Sequence, residues 1–186
     1  LTINPASLTV TADNKSKTYG SANPALTVSY SGFVNGDSAT SLTTQPTATT
    51  AALTSSPAGV YTITASGGVS GNYTFSYVAG NLTINPASLS VTAAAKSKTY
   101  GAADPALTYN AAGFVNGDTV SIMTGALARA AGENVGAYAI NQGTVSAGGN
   151  YTIAYTGANL IINPASLSVT AAAKSKIGRA SCRERV

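Results

Sequence analysis

The chain repeats itself, and the period of the repeat decides what it can fold into. Leu1-Thr-Ile-Asn-Pro-Ala-Ser7 returns as residues 82–88 and, with Ile for Thr, as residues 160–166. Leu8-Thr-Val-Thr-Ala12 returns, with small changes, at Leu89 and Leu167, steps of 81 and 78 residues. The punctuation inside each unit returns too. Lys17-Thr-Tyr-Gly20 matches residues 98–101, Gly32-Phe-Val-Asn-Gly-Asp37 matches 113–118, and Gly71-Asn-Tyr-Thr74 matches 149–152. Solenoid repeats run to about 20–50 residues, so this longer period describes small autonomous domains in tandem. The expected division is residues 1–7 as the end of a preceding unit, 8–88 and 89–166 as two full units, and 167–176 as the start of a third.

Residues 177–186 depart from this pattern. Ile-Gly-Arg-Ala-Ser-Cys-Arg-Glu-Arg-Val matches one reading frame of a sequencing adapter, and we exclude it from the fold. It holds three of the ten Lys/Arg residues, one of the six acids, and the only cysteine, Cys182. Without it the net charge is +2, with seven Lys/Arg against five Asp/Glu and no Cys, His or Trp. No disulfide framework and no thiolate or imidazole metal site is possible with such residues. The thin, scattered charge gives no basis for nucleic-acid binding, which needs clustered cations. No apolar stretch approaches the length of a membrane-spanning helix.

Within each unit apolar residues alternate with Thr and Ser, the pattern of strands with one buried face. Leu26, Val28 and Tyr30 form one such set, Tyr61, Ile63 and Ala65 another, and Tyr73, Phe75 and Tyr77 a third. The second unit repeats them at Leu107 and Tyr109, at Tyr138 and Ile140, and at Tyr151, Ile153 and Tyr155. The odd step from Tyr77 to Leu82 requires a bulge or kink across Ala79-Gly-Asn81 to return Leu82 and Ile84 to the buried face. Asn35-Gly36 and Asn116-Gly117 supply turns. Asp37 and Asp118 are placed to cap a single helical turn over Ser38 to Leu42 and Thr119 to Met123.

The expected fold is therefore mainly β: tandem small β-domains of about five strands, β-grasp-like, with at most one short helical turn per unit. An immunoglobulin-like β-sandwich, which usually needs seven strands, is the alternative. Asn85-Pro-Ala-Ser88 joins the units with almost no linker, and Pro86 keeps its neighbourhood extended. Such a joint predicts an elongated rod of units.

Candidate sites are few. Lys15 with Lys17, and Lys96 with Lys98, form a repeated Lys-x-Lys, readable as a weak contact stripe for anionic surfaces or as a solvated strand that discourages edge pairing. Tyr19 and Tyr100, each followed by Gly, are readable as carbohydrate-stacking residues. The competing reading packs each ring with its hydroxyl at the rim and gives the Gly a positive φ. Asp37 and Asp118 could open a calcium loop, but a calcium ion wants six to eight oxygens, and each unit offers two or three carboxylates. The Asn-x-Ser/Thr triplets at Asn14, Asn72, Asn81 and Asn150 fit the glycosylation pattern and also arise by chance in so Thr-rich a chain. With no His, nucleophilic triads are unavailable apart from Ser–Lys variants. No catalytic residue, metal or cofactor is expected.

The ordered set of motifs, Leu-Thr/Ser-Val-Thr-Ala, Lys-Thr-Tyr-Gly, Gly-Phe-Val-Asn-Gly-Asp, Gly-Asn-Tyr-Thr and Leu-Thr/Ile-Ile-Asn-Pro, resembles the MBG domain of the YGX type over residues 1–176. Such domains occur in tandem in large bacterial surface proteins, including filamentous-haemagglutinin-like adhesins. The resemblance implies non-enzymatic stalk or spacer modules, extracellular or on the bacterial cell surface, that project a distal binding domain. The alternative is a multivalent weak glycan- or host-protein-binding module. Partners would be the neighbouring repeats of the same chain, with a host surface or glycan met through other domains. No nucleic-acid or membrane-inserting role is implied, and the units should be monomeric.

Overall fold

The computed structural model describes residues 2–175, so Cys182 and the segment read as adapter-derived lie outside the described residues. The first unit comprises β1 (Ala6–Ala12), β2 (Lys15–Thr18), β3 (Val28–Ser31), β4 (Thr47–Thr50), β5 (Gly59–Ser66), β6 (Tyr73–Val78) and β7 (Gly80–Asn85). The second comprises β8 (Ala87–Ala93), β9 (Lys96–Thr99), β10 (Tyr109–Ala112), β11 (Ala128–Arg129), β12 (Gly136–Asn141), β13 (Tyr151–Thr156) and β14 (Ala158–Asn163). Each unit folds into a three-stranded and a four-stranded sheet, ordered β3-β1-β6 with β2-β7-β5-β4, and β10-β8-β13 with β11-β12-β14-β9.

Two strands run the length of each unit, side by side and parallel. Ala6 stands opposite Tyr73 at one end, and the same offset continues through β2 and β7 to Thr18 opposite Asn85 at the other. Midway, at Asp13-Asn14 and Ala79, both strands pass from one sheet to the other. The slip in alternation before Leu82 is this crossing. It turns Leu82 and Ile84 inward to join Val10, Ala12, Ile63 and Ala65 in the core between the sheets.

The mainly β architecture of tandem small β-domains is as expected, and the central parallel pair sets each unit apart from an immunoglobulin-like sandwich, whose sheets are antiparallel. Seven strands divide between two sheets, because the through-running strands change sheet. Each unit has one short helical turn, as expected, a single 3₁₀ turn at Ala39–Ser41 and at Val120–Ile122. The aspartates do not cap these turns: Ser38 and Thr119 hold the N-cap positions. β4, a strand the sequence did not reveal, and β2, the Lys-x-Lys strand, lie at the two edges of the four-stranded sheet and carry Lys, Ser, Thr and Ala. Their burial alternates, but the more buried positions hold Lys15, Lys17, Ala48 and Thr50, which leave no apolar alternation in the sequence.

Pro86 alone separates β7 from β8. Residues 164–175 form no strand, and Leu167 and Val169 are 87% and 85% exposed, where their counterparts Leu89 and Val91 are fully buried. The first strand of a unit is central to its sheet, so it needs the later strands before it has anything to pair with or pack on. Among the described residues no helix is long and apolar enough to cross a membrane.

Candidate functional site: the joint between the units

The repeated motifs converge at the junction. Tyr19 follows the end of β2, where the through-running strands of the first unit finish. The turn after it, at Gly20 (φ +80°), carries the chain back without a side chain. The Tyr19 ring enters the second unit and is 5% exposed. It meets Tyr151, at the start of β13, edge to face. The Tyr19 hydroxyl donates to Asp118 Oδ2 at 3.1 Å and accepts a bond from Asn116 Nδ2 at 3.1 Å. Tyr151 donates to the same Asp118 oxygen at 2.8 Å and accepts from the Val115 N–H at 3.1 Å. Burial, and then the hydrogen bond to Asp118, hold the Tyr151 phenol above its usual range.

The loop that receives Tyr19 is shaped by its own sequence. Asn116 takes a left-handed conformation (φ 58°) and Gly117 follows it at φ +81°, the turn expected of Asn-Gly. Across this loop Val115 lies against Gly20 so closely that a Cβ there would stand 2.7 Å from Val115 Cγ2. Backbone groups fix each side of the seam, and one of them crosses it, the Ala58 N–H. Tyr19 N–H donates to the Asn85 carbonyl, Ala87 N–H to the Asn150 carbonyl, and Ala58 N–H to Asn150 Oδ1. Tyr19, Ile84, Ala87 and Tyr151 belong to one continuous apolar cluster that crosses the joint.

The other candidate residues sit elsewhere. Tyr100, the counterpart of Tyr19, is 52% exposed. Both Lys-x-Lys pairs lie on edge strands, β2 and β9, but Lys17 and Lys98 are buried, at 8% and 9% exposure, and do not face solvent. Lys17 Nζ donates to the carbonyls of Leu53 (2.7 Å) and Ser21 (3.0 Å). Lys98 Nζ donates to Asp104 Oδ1 and Glu133 Oε2, both at 2.6 Å. Arg129 closes that quartet, 2.5 Å from Asp104 through Nε and paired with Glu133 through Nη2. Burying an ammonium demands such partners, and the inward lysine is the reason the pair looks misplaced on an edge strand. Lys15 and Lys96 are half-buried.

The aspartates proposed as calcium ligands have other work. Asp37 accepts the Tyr73 hydroxyl at 2.8 Å, as Asp118 accepts that of Tyr151. Among the described residues no group of three or more His, Cys, Asp or Glu side chains stands together to hold a metal. Sequence reasoning took Tyr19 as a local feature and missed its receptors Val115, Asn116, Asn150 and Tyr151. Their signal was present: every receptor lies in a motif that recurs with the Tyr-Gly pair.

A family model described as MBG domain (YGX type) matches residues 8–83 and again residues 89–161. Comparison with curated proteins gave no match.

Proposed function

The chain belongs to the family of MBG domains of the YGX type, and from that premise we propose that its units are non-enzymatic spacers in the stalk of a bacterial extracellular adhesin, projecting a distal binding domain from the cell surface. The observation that carries this reading is the joint. A one-residue linker, a buried aromatic plug and a shared core resist bending between units, as a spacer requires and a loose tether does not. The parallel strands β1–β2 and β6–β7 span the first unit from entry to exit, as β8–β9 and β13–β14 span the second, so tension applied at the ends runs along them.

The surface argues against the multivalent binding alternative. A repeated glycan site would present the same aromatic in each unit. Tyr77 is exposed, yet its counterpart Tyr155 is half-buried and donates to the Ile140 carbonyl. Tyr100 is exposed, yet its counterpart Tyr19 is buried in the joint.

Two measurements test the proposal. Small-angle X-ray scattering of the chain should give a maximum dimension near twice that of one unit, unchanged with concentration. Antibody raised against the chain should label intact, unpermeabilised cells of the source organism. A broad distribution of dimensions, or label seen only after permeabilisation, would sink it. Retention on a glycan array at micromolar affinity would return the binding reading.

A further inference from the structure

The first unit carries an open cavity of about 400 Å³ at the end opposite its Tyr-Gly turn. It is lined by residues 3–6, by Val34, Asn35 and Asp37, and by residues 71–73. Residue for residue, these recur as 84–87, Val115, Asn116, Asp118 and 149–151. The second set is the seat of Tyr19. The cavity is therefore that seat without its plug.

The details agree. Tyr73 donates to Asp37 Oδ2 at 2.8 Å and accepts from the Val34 N–H at 3.1 Å, the geometry of Tyr151 with Asp118 and Val115. Phe33 stands edge-on to Tyr73, as Phe114 does to Tyr151. Asn35 and Asn116 share the left-handed turn, at φ 55° and 58°. Asp118 Oδ2 accepts two phenol hydroxyls; among the described residues Asp37 Oδ2 accepts one. Val34 is exposed where Val115 lies against Gly20.

We infer that this cavity is a docking site for the Tyr-Gly turn of another YGX-type unit placed ahead of Leu1 in the same chain, and that Tyr100-Gly101 is the matching plug at the other end. The identity of residues 1–7 with 82–88 supports the in-chain occupant, because 82–88 is the strand end and linker that positions the Tyr19 plug. A seat and a plug at opposite ends of one unit make a head-to-tail interface that does not close on itself, so it propagates along an array. The inference rests on the joint alone and holds whether or not the array stands on a cell surface.

The test adds a copy of residues 8–81 ahead of Leu1 of the full chain, which regenerates the sequence 8–88 in front of Leu8. In reducing buffer, two-dimensional NMR should move the Asn35 side-chain amide and the Asn72 backbone amide towards the positions of Asn116 and Asn150. Hydrogen exchange at the Val34 amide should slow at least tenfold. Tyr19→Ala in the added copy should return both readouts to those of the original chain. Unmoved signals, or signals indifferent to that substitution, would overturn the assignment. So would the same shifts appearing in the original chain with rising concentration and a doubled mass, since a second molecule's Tyr100 would then be the occupant.

Discussion

Tyr19 of the first unit stands edge-on to Tyr151 of the second, 5.6 Å between ring centroids and 83° between planes, and both hydroxyls donate to Asp118 Oδ2. The two rings come from different units, 132 residues apart in sequence. They are held together only because the second unit folds its Asn-Gly loop beside the start of β13.

Replacing Tyr19 should uncouple the units. Tyr19→Phe keeps the ring and loses the bonds to Asp118 and Asn116, a loss of about 1–3 kcal/mol. Tyr19→Ala also empties the seat and should lose about 3–5 kcal/mol. Tyr100→Ala, at an exposed ring, should change stability by under about 0.5 kcal/mol. Urea unfolding followed unit by unit at Ile63 and Ile140 separates these outcomes, because loss of coupling splits one transition into two.

Gly20 and Gly101 make a matched pair. Both take positive φ, +80° and +85°, so an alanine at either should lose about 1–2 kcal/mol to backbone strain. At Gly20 the new Cβ also meets Val115 at 2.7 Å, while at Gly101 nothing lies within 4 Å. Gly20→Ala should therefore loosen the joint and broaden the scattering envelope; Gly101→Ala should leave the envelope unchanged.

The second unit should be the more acid-sensitive. Hydrogen bonds from Arg129 and then Lys98 hold the Asp104 carboxyl below its usual range, and those from Lys98 and then Arg129 do the same for Glu133. With folded pKa values below the unfolded ones, the stabilisation is present above about pH 4–5 and is lost as the pH falls through the folded values. In the first unit Asn23, which occupies the place of Asp104, donates to the Ala52 carbonyl and does not titrate. One carboxylate there, Asp13, is held low by the hydroxyls of Ser29 and Thr27. At pH 3 the Ile140 transition should move to lower urea by more than the Ile63 transition. At the alkaline end, Lys98 is held above its usual range, first by Asp104 and then by Glu133. Its contribution should persist through about pH 10 and fade only as the pH rises through the folded value.

The two buried lysines should respond differently to the same change. Lys98→Met leaves Asp104 and Glu133 to share Arg129 alone, whereas Lys17→Met leaves two uncharged carbonyls without their donor. Thermal unfolding should show the larger drop for Lys98→Met.

Deleting residues 164–186 should leave both transitions within about 0.5 kcal/mol of the intact chain. The described part of that segment is exposed and strand-free. Trypsin should cut after Lys174 before it cuts within either unit.

Much of this was legible in the residues. The step from Leu8 to Leu89 to Leu167 established tandem units, the alternation through Tyr61, Ile63 and Ala65 established strands, and Pro86 between two strands established a short joint. These are local signals, carried by neighbours in the chain. The two-sheet layering, the inward turn of Lys17 and Lys98, and the docking of Tyr19 were decided by tertiary structure. A Lys-x-Lys strand reads the same whether its ammonium meets water or two carbonyls, and Tyr-Gly reads the same in a rim or a seat. Which of these occurs depends on groups brought close only after folding: Leu53 beside Lys17, Asp104 and Glu133 beside Lys98, and Asp118 and Tyr151 beside Tyr19. The repeat recorded that these motifs travel together; only packing one unit against the next supplied the reason.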